Sequence, residues 1–140
     1  MNTISLLLSL TALTLTAAAQ DWAKAKLENS PRHHEWAKIK NGNREVHSFI
    51  VFPEVKDKAT AVVVIHENRG LTDWARSVAD QLAAAGYIAI APDLLSGSGP
   101  KGGNTADFPN QDDAMKAIYA LAPAQVTGDL NAVADYAAKL

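Results

Sequence analysis

The stretch AVVVIHENRGL, residues 61–71, decides the fold of this chain. It joins a fully apolar run, 61–65, to a short polar turn, and an amphipathic segment begins directly afterwards at Thr72. A second apolar run follows in GYIAIAPDL, residues 86–94. A strand, a polar turn, a helix and another strand in this order indicate two parallel strands joined by a right-handed crossover. The sequence therefore predicts an α/β protein.

Both strands and the helix of this unit have recognisable limits. Residues 61–65 are apolar at every position, which is typical of a strand covered by helices on both sides. Thr72 or Asp73 can cap the start of the helix, and Gly86 suits its end. We expect residues 87–91 to form the next buried strand. The helix is expected to bury one apolar stripe, formed by Trp74, Val78, Leu82 and Ala85.

An antiparallel hairpin is predicted upstream of this unit. Residues 35–40 and 45–52 are separated by Asn41-Gly42-Asn43, and Asn and Gly tolerate the positive φ angles of a tight turn. The β-rich run at the end of the second segment stops at Pro53. We expect this pair of strands at the edge of the sheet.

Downstream, a Gly-rich loop precedes two helices. Residues 95–110 contain four Gly and two Pro, and we interpret them as a long surface loop with little packing capacity. Helical patterns follow at 112–121 and 125–140. The second helix has a long apolar face, and such a helix is expected to be followed by another strand. The residues on this face are Val126, Leu130, Val133, Ala134, Ala137 and Leu140.

The N-terminus is typical of an exported protein. Residues 4–19 carry no charge, and Ala17-x-Ala19 offers the small residues of a cleavage site, although no Lys or Arg precedes them. We expect residues 1–19 to be a signal peptide and the protein to be periplasmic or extracellular. An uncleaved anchor is the alternative. Residues 20–34 are polar and are interpreted as a leader segment ahead of the folded domain.

Composition limits the function further. A chain of 140 residues has room for one domain. The net charge of −2 argues against nucleic acid as a partner, and we expect no membrane association after signal cleavage. There is no Cys, so neither a disulfide nor a thiol nucleophile can come from these residues. No pattern in the sequence predicts a cofactor.

Three familiar motifs fail on spacing. His66-Glu67 would need a second His at position 70 to bind zinc as a metalloprotease does, and that residue is Gly70. A phosphate-binding loop needs Lys after its last Gly and before a helix, whereas Lys101 precedes Gly102. A nucleophile elbow has Gly two residues before and two residues after its Ser, and neither Ser96 nor Ser98 meets this spacing, so both are interpreted as polar loop residues.

Residues 62–94 resemble the dienelactone hydrolase family, and especially its exported members. The matching segments are VVVIHENRGL at 62–71, the Val78-Ala79-x-x-Leu82-Ala83-x-x-Gly86-Tyr87 pattern, and A-x-APDL at 89–94. The resemblance implies that Glu67 lies beside the catalytic nucleophile and helps to poise it. It also implies that the backbone N–H of Asn68 belongs to the oxyanion hole. Without the resemblance, Glu67 would be a solvated turn residue or an ion-pair partner of Arg69.

The family's nucleophile and the rest of its triad have no counterpart here. The family carries a Gly-x-Cys-x-Gly elbow on the following strand, and no such elbow occurs in these 140 residues. His66 and Asp93 precede that position, whereas the triad order is nucleophile, acid, base. We therefore expect residues 35–140 to be the N-terminal half of an α/β-hydrolase domain, its sheet incomplete at the C-terminus.

The function implied is hydrolysis of a small-molecule ester or lactone through an acyl-enzyme, as in carboxymethylenebutenolidases, with this chain inactive alone. Two alternatives stay open at this point. One is a non-catalytic exported α/β domain that completes its sheet with a partner chain. The other is the N-terminal half of a Ser esterase with the same fold, in which the missing elbow carries Ser instead of Cys. The sequence does not identify the substrate.

Overall fold

The computed structural model describes residues 21–56 and 58–140, so the predicted signal peptide at 1–19 lies outside the described residues. We number a helical segment at 21–28 as α1. The remaining elements are β1 (His34–Asn41), β2 (Arg44–Val51), β3 (Ala61–Val63), α2 (Asp73–Ala84), β4 (Ile88–Pro92), α3 (Gln111–Tyr119) and α4 (Pro123–Ala137). Within these two ranges, no helix is both long enough and apolar enough to cross a bilayer.

The four strands form one mixed sheet in the order β1-β2-β4-β3. The β1–β2 hairpin is antiparallel and turns at Gly42, whose φ is +59°. β2 also pairs antiparallel with β4, and β3 pairs parallel with β4 through α2. The predicted hairpin followed by a parallel crossover unit is confirmed. Because β4 joins the two halves, it has the largest share of buried residues.

Helices cover both faces of this sheet. Side chains alternate along β2, so that Phe49 and Val51 face α2 while Val46 and Ile50 face α4. On the first face they pack with Leu71 and the small residues of α2, and on the second with Val133 of α4. The sheet is therefore the middle layer of a three-layer domain, as the α/β class requires.

β3 differs from the strand predicted at 61–65. Its ladder ends at Val63, although the Val64 N–H still donates to the Ile90 carbonyl at 2.8 Å. Among the described residues β3 has one neighbour, β4, and all three of its residues are partly exposed. Ile65 is 57% exposed. An apolar run that predicts burial on both sides is thus found at the edge of the sheet.

The predicted apolar stripe of α2 is only partly correct, since Leu82 packs against the core but Ala85 is exposed. The helix buries Ala75, Ala79 and Ala83, which are spaced by four residues, whereas Trp74 is 48% exposed. Alanine carries a small side chain, so this face lets the helix lie close to the sheet. The cap was predicted correctly, because the Thr72 hydroxyl accepts a hydrogen bond from the Ala75 N–H.

The segment interpreted as a polar leader packs against the domain. Ala23 and Leu27 of α1 are buried, and Leu27 belongs to the core on the α2 side. The fold therefore extends upstream of residue 35, where the sequence led us to place its start. Helical periodicity explains the difference, because two apolar residues four positions apart are enough to bury one face of a short helix.

A buried carboxylate on α2 holds this segment in place. Asp80 accepts hydrogen bonds from the Arg32 guanidinium at 2.6 and 2.9 Å and from the Ser30 hydroxyl at 2.5 Å, and it contacts His34 Nε2 at 2.9 Å. Burial raises the pKa of Asp80, but the hydrogen bonds and the Arg32 charge outweigh it and lower the pKa to about 2. The same contact raises the pKa of Arg32.

A second buried carboxylate joins α4 to the hairpin. Asp129 is fully buried and accepts from Arg44 Nε at 3.0 Å and from Asn41 Nδ2 at 2.9 Å. The predicted apolar face of this helix is only partly correct, since Val133 is buried but Leu140 is 49% exposed. The helix buries a charge instead because the hairpin supplies its partners.

The Gly-rich loop is more tightly packed than predicted. Leu95 and Ser96 are fully buried, and two short 3₁₀ turns at Pro100–Gly102 and Thr105–Asp107 shape the rest. The Ser96 hydroxyl donates to the Asp93 carbonyl at 2.5 Å and accepts from the His47 N–H at 2.9 Å. Ser96 is therefore a structural residue that joins this loop to β2.

Candidate active site

The polar turn after β3 presents the two residues that the sequence singled out. The Glu67 carbonyl accepts a hydrogen bond from the Gly70 N–H at 3.2 Å, which places Asn68 and Arg69 at the centre of a β-turn. Gly70 has φ +78°, a conformation that L side chains rarely adopt. This turn lies at the carboxyl end of a parallel strand, where ligands bind in open α/β sheets.

The Glu67 side chain is exposed and uncommitted. It forms no salt bridge with any residue in the described ranges, so the alternative of an ion pair with Arg69 is not found. A carboxylate held on an ordered turn and left without a protein partner is available to a group that approaches the turn. The exposure of Glu67 fits the alternative of a solvated turn residue as well.

The backbone N–H of Asn68 is available as a donor. Within residues 21–56 and 58–140 it donates to no acceptor. The Asn68 side chain instead lies along α3, with Nδ2 at 3.6 Å from Met115 Sδ and 3.5 Å from Tyr119 Oη. α3 therefore forms the wall beside the turn.

His66 ties the start of the turn to the end of β4. Its imidazole is 8% exposed, with Nδ1 at 2.8 Å from the Glu67 carbonyl and Nε2 at 3.1 Å from the Leu94 backbone nitrogen. A backbone N–H only donates, so Nε2 accepts and the proton of the neutral ring is on Nδ1. The ring therefore bridges the turn and the β4 end in one defined tautomer.

Thr105 ties the other end of the turn to the same place. Its hydroxyl accepts from the Leu71 N–H at 3.0 Å and donates to the Asp93 carboxylate at 2.7 Å. Asp93 is 3% exposed and also accepts from the backbone N–H groups of Thr105 and Leu95. The dipeptide Asp93-Leu94 thus holds both ends of the turn, one through Thr105 and one through His66.

These contacts explain why two motifs occur together in the sequence. The segments HENRGL at 66–71 and APDL at 91–94 are separated by α2, but their polar groups are hydrogen-bonded in the fold. Sequence reasoning noted both motifs and missed Thr105, which lies in the loop interpreted as weakly packed. The only local signal for Thr105 is the Asn104-x-x-Asp107 capping box around it.

The described residues form one side of a site rather than an enclosed pocket. A cavity of about 620 Å³ lies at the β1–β2 hairpin, beside Lys40, Arg44 and His47, and is not next to Glu67. The cavity that touches the turn measures about 340 Å³ and is lined by Arg69, Thr72 and Thr105 among others. Among the described residues, no group of three or more His, Cys, Asp or Glu side chains is placed to hold a metal ion.

Comparison with known proteins places this fold in context. A crystal structure from Klebsiella pneumoniae subsp. pneumoniae, of a protein named as a dienelactone hydrolase, superimposes with a TM-score of 0.65 at 25% identity. The superposition covers 77% of this chain and 44% of that one. A second solved structure, m3DLH, matches with a TM-score of 0.58 at 24% identity, covering 74% of this chain and 42% of its own, and shows the fold.

Sequence comparison gives the same result. A curated Escherichia coli (strain K12) protein, YghX, whose name describes it as a hydrolase fragment, is 51% identical over 65 residues, which are 46% of this chain and 56% of that protein. This chain thus spans about half the length of the proteins that it matches. The family model for the dienelactone hydrolase family matches residues 46–140. The chain belongs to the dienelactone hydrolase family.

Proposed function

We propose that this chain forms the oxyanion side of an ester- or lactone-hydrolysing site, and that the nucleophile comes from outside residues 1–140. One observation carries the proposal: the turn after β3 presents an Asn68 N–H without a protein acceptor and an uncommitted Glu67 carboxylate, on a chain of this family. The substrate class is a small carboxylic ester or lactone, and the chemistry needs no cofactor.

The reaction follows from what these groups can do. A Cys or Ser nucleophile attacks the carbonyl carbon of the substrate. The carbonyl oxygen then becomes an oxyanion, which accepts a hydrogen bond from the Asn68 N–H. Collapse of this intermediate breaks the ester C–O bond, and the leaving oxygen takes the proton that the nucleophile released on attack. Water then attacks the acyl-enzyme and releases the carboxylic acid and the free nucleophile. In a lactone, both product groups stay in one molecule.

Glu67 has a distinct part in this proposal. An exposed carboxylate beside a thiol or hydroxyl can accept its hydrogen bond and hold it in one orientation before substrate binds. In the complete site, Glu67→Gln keeps the shape and removes the charge, so we expect kcat to fall while substrate binding changes little. Equal kcat values for the wild-type enzyme and the Glu67→Gln variant would contradict this role for Glu67.

The simplest test uses the 140-residue chain itself. It contains neither Cys nor a Gly-x-Ser-x-Gly elbow, so it should hydrolyse an aryl acetate no faster than buffer does. The matched control is Ser98→Ala, because Ser98 is an exposed serine of the Gly-rich loop, whereas Ser96 is fully buried. A stoichiometric burst of acylation in the unmodified chain would overturn the proposal, and its loss in the variant would identify the serine responsible.

The coding sequence after codon 140 provides the second test. A Gly-x-Cys-x-Gly elbow in frame within about 25 residues would support the proposal, given the short loops of α/β units, and Ser in that position would favour a Ser esterase. If no elbow follows, the protein is better explained as a non-catalytic domain that pairs the open edge of β3 with a partner. Light scattering of the purified chain would then show a stable assembly. Export of the protein remains part of the proposal, based on residues 1–19.

A further inference from the structure

We propose that His66 is a positioning residue that sets the direction of the Asn68 N–H. It does so by holding the Glu67 carbonyl, which lies in the same peptide plane as that N–H. This inference rests on the proposed function for its catalytic meaning. Its geometric content, however, can be tested without activity. His66 would touch neither substrate nor nucleophile, and it acts through the turn alone.

The geometry of the peptide bond carries the inference. The Glu67 carbonyl and the Asn68 N–H belong to one planar trans unit, in which the C=O and N–H bonds point in opposite directions. His66 Nδ1 holds the Glu67 oxygen at 2.8 Å, and the Gly70 N–H holds the same oxygen at 3.2 Å. Two donors on one carbonyl fix the orientation of the plane, and therefore also the direction in which the Asn68 N–H points.

The ring can hold the carbonyl because its other nitrogen is anchored. Nε2 accepts from the Leu94 N–H at the end of β4, a neighbouring strand, and the imidazole is 8% exposed. A ring held at both nitrogens cannot rotate about χ2 without losing two hydrogen bonds. The consequence is a donor already oriented when substrate arrives, which is the condition under which oxyanion stabilisation is most effective.

Two substitutions separate the two hydrogen bonds. In His66→Asn, the side-chain nitrogen occupies the position of Nδ1 and keeps the donor to Glu67, but nothing replaces Nε2. In His66→Gln, the side-chain oxygen reaches the position of Nε2 and keeps the acceptor for Leu94, but the donor to Glu67 is lost. His33→Asn is the matched control, since the His33 side chain is 67% exposed.

Nitrogen-15 NMR of the folded protein tests the tautomer directly. We expect His66 Nδ1 to resonate as a protonated ring nitrogen and Nε2 as an unprotonated one at neutral pH. Amide exchange of Leu94 should become at least tenfold faster in His66→Asn and stay within twofold of wild type in His66→Gln. The opposite tautomer, or unchanged Leu94 exchange in His66→Asn, would overturn the inference whatever the protein's activity.

A second readout concerns the plane itself. The N–H residual dipolar coupling of Asn68 should change in His66→Gln more than in His33→Asn, because only the former frees the Glu67 carbonyl. In the complete hydrolase the same variant should lower kcat about tenfold with KM within twofold, less than the 10²–10³ that loss of an oxyanion donor costs. If the Asn68 coupling is unchanged in His66→Gln, His66 does not have the positioning role. If the coupling changes and kcat does not, the function proposed for Asn68 is contradicted.

Discussion

The hydroxyl of Thr105 donates to the buried carboxylate of Asp93 over 2.7 Å while it accepts from the backbone N–H of Leu71. One hydroxyl group thereby connects the loop after β4, the end of β4 and the turn after β3. Removing it would leave a buried carboxylate with one donor fewer and a backbone N–H without an acceptor.

Thr105→Val is therefore expected to lower the free energy of unfolding by about 2 kcal/mol, because the Leu71 N–H loses its acceptor and the Asp93 carboxylate loses one of its donors. Thr105→Ser keeps the hydroxyl, loses one methyl group and should cost about 1 kcal/mol. Urea denaturation of the two variants measures the difference. Equal free energies of unfolding for Val and Ser would show that the hydroxyl does not hold the turn.

Gly70→Ala should destabilise the protein by more than about 2 kcal/mol. The positive φ alone costs about 1–2 kcal/mol, and a Cβ on Gly70 would also overlap the side chain of Thr105. Gly42→Ala is the control, since its φ is +59° and nothing lies within 4 Å of the added atom. Thr105→Ala removes the two closest atoms and keeps only the Cβ at 3.0 Å, so Gly70→Ala should cost less in that background, and additive costs in this double-mutant cycle would contradict the overlap.

Asp80→Asn should remove about 3 kcal/mol of stability at neutral pH, because it leaves the Arg32 charge without its partner. The pKa of Asp80 is lowered by folding to about 2, so its contribution is present above about pH 4 and is lost as the pH falls towards 2. The difference between wild type and variant should shrink across that range. Glu28→Gln, in an exposed pair with Lys24, is the control and should show no such trend.

The close approach of α2 to the sheet gives a fourth prediction. Ala79 is fully buried, so Ala79→Leu should overpack the core and cost about 1–3 kcal/mol. Trp74, on the stripe that the sequence predicted as buried, is half exposed, and Trp74→Ala should change stability by less than about 1 kcal/mol. Thermal unfolding of Ala79→Leu and Trp74→Ala measures the two losses of stability. A larger loss in Trp74→Ala would restore the predicted stripe.

The parts of the fold that the sequence predicted are those determined by local pattern. The hairpin turn at Gly42, the Thr72 cap and the crossover unit each depend on a few adjacent residues. The buried face of α2 was predicted only in part, because large apolar residues were taken as the signal for burial and of these Leu82 packs against the core. At a close helix–sheet contact, the small residues Ala75 and Ala79 have that role instead.

The rest of the candidate site could not be predicted because its contacts are long-range. Thr105 and Leu71 are 34 positions apart, and His66 and Leu94 are 28 apart, yet these pairs define the turn. Ser30 likewise contacts Asp80 across 50 positions. A polar residue in a loop has no periodic signal, so its partner becomes visible only when the strands that carry both have been paired.

The strand order also has a consequence for the chain as it is made. β3 emerges before β4, but among the described residues its only neighbour is β4, which lies 25 residues later and must insert between β2 and β3. Until then the run 61–65, five apolar residues without charge or proline, has no partner. Such a segment pairs readily with copies of itself. Aggregation of nascent chains should therefore depend on the time that separates the synthesis of β3 from that of β4.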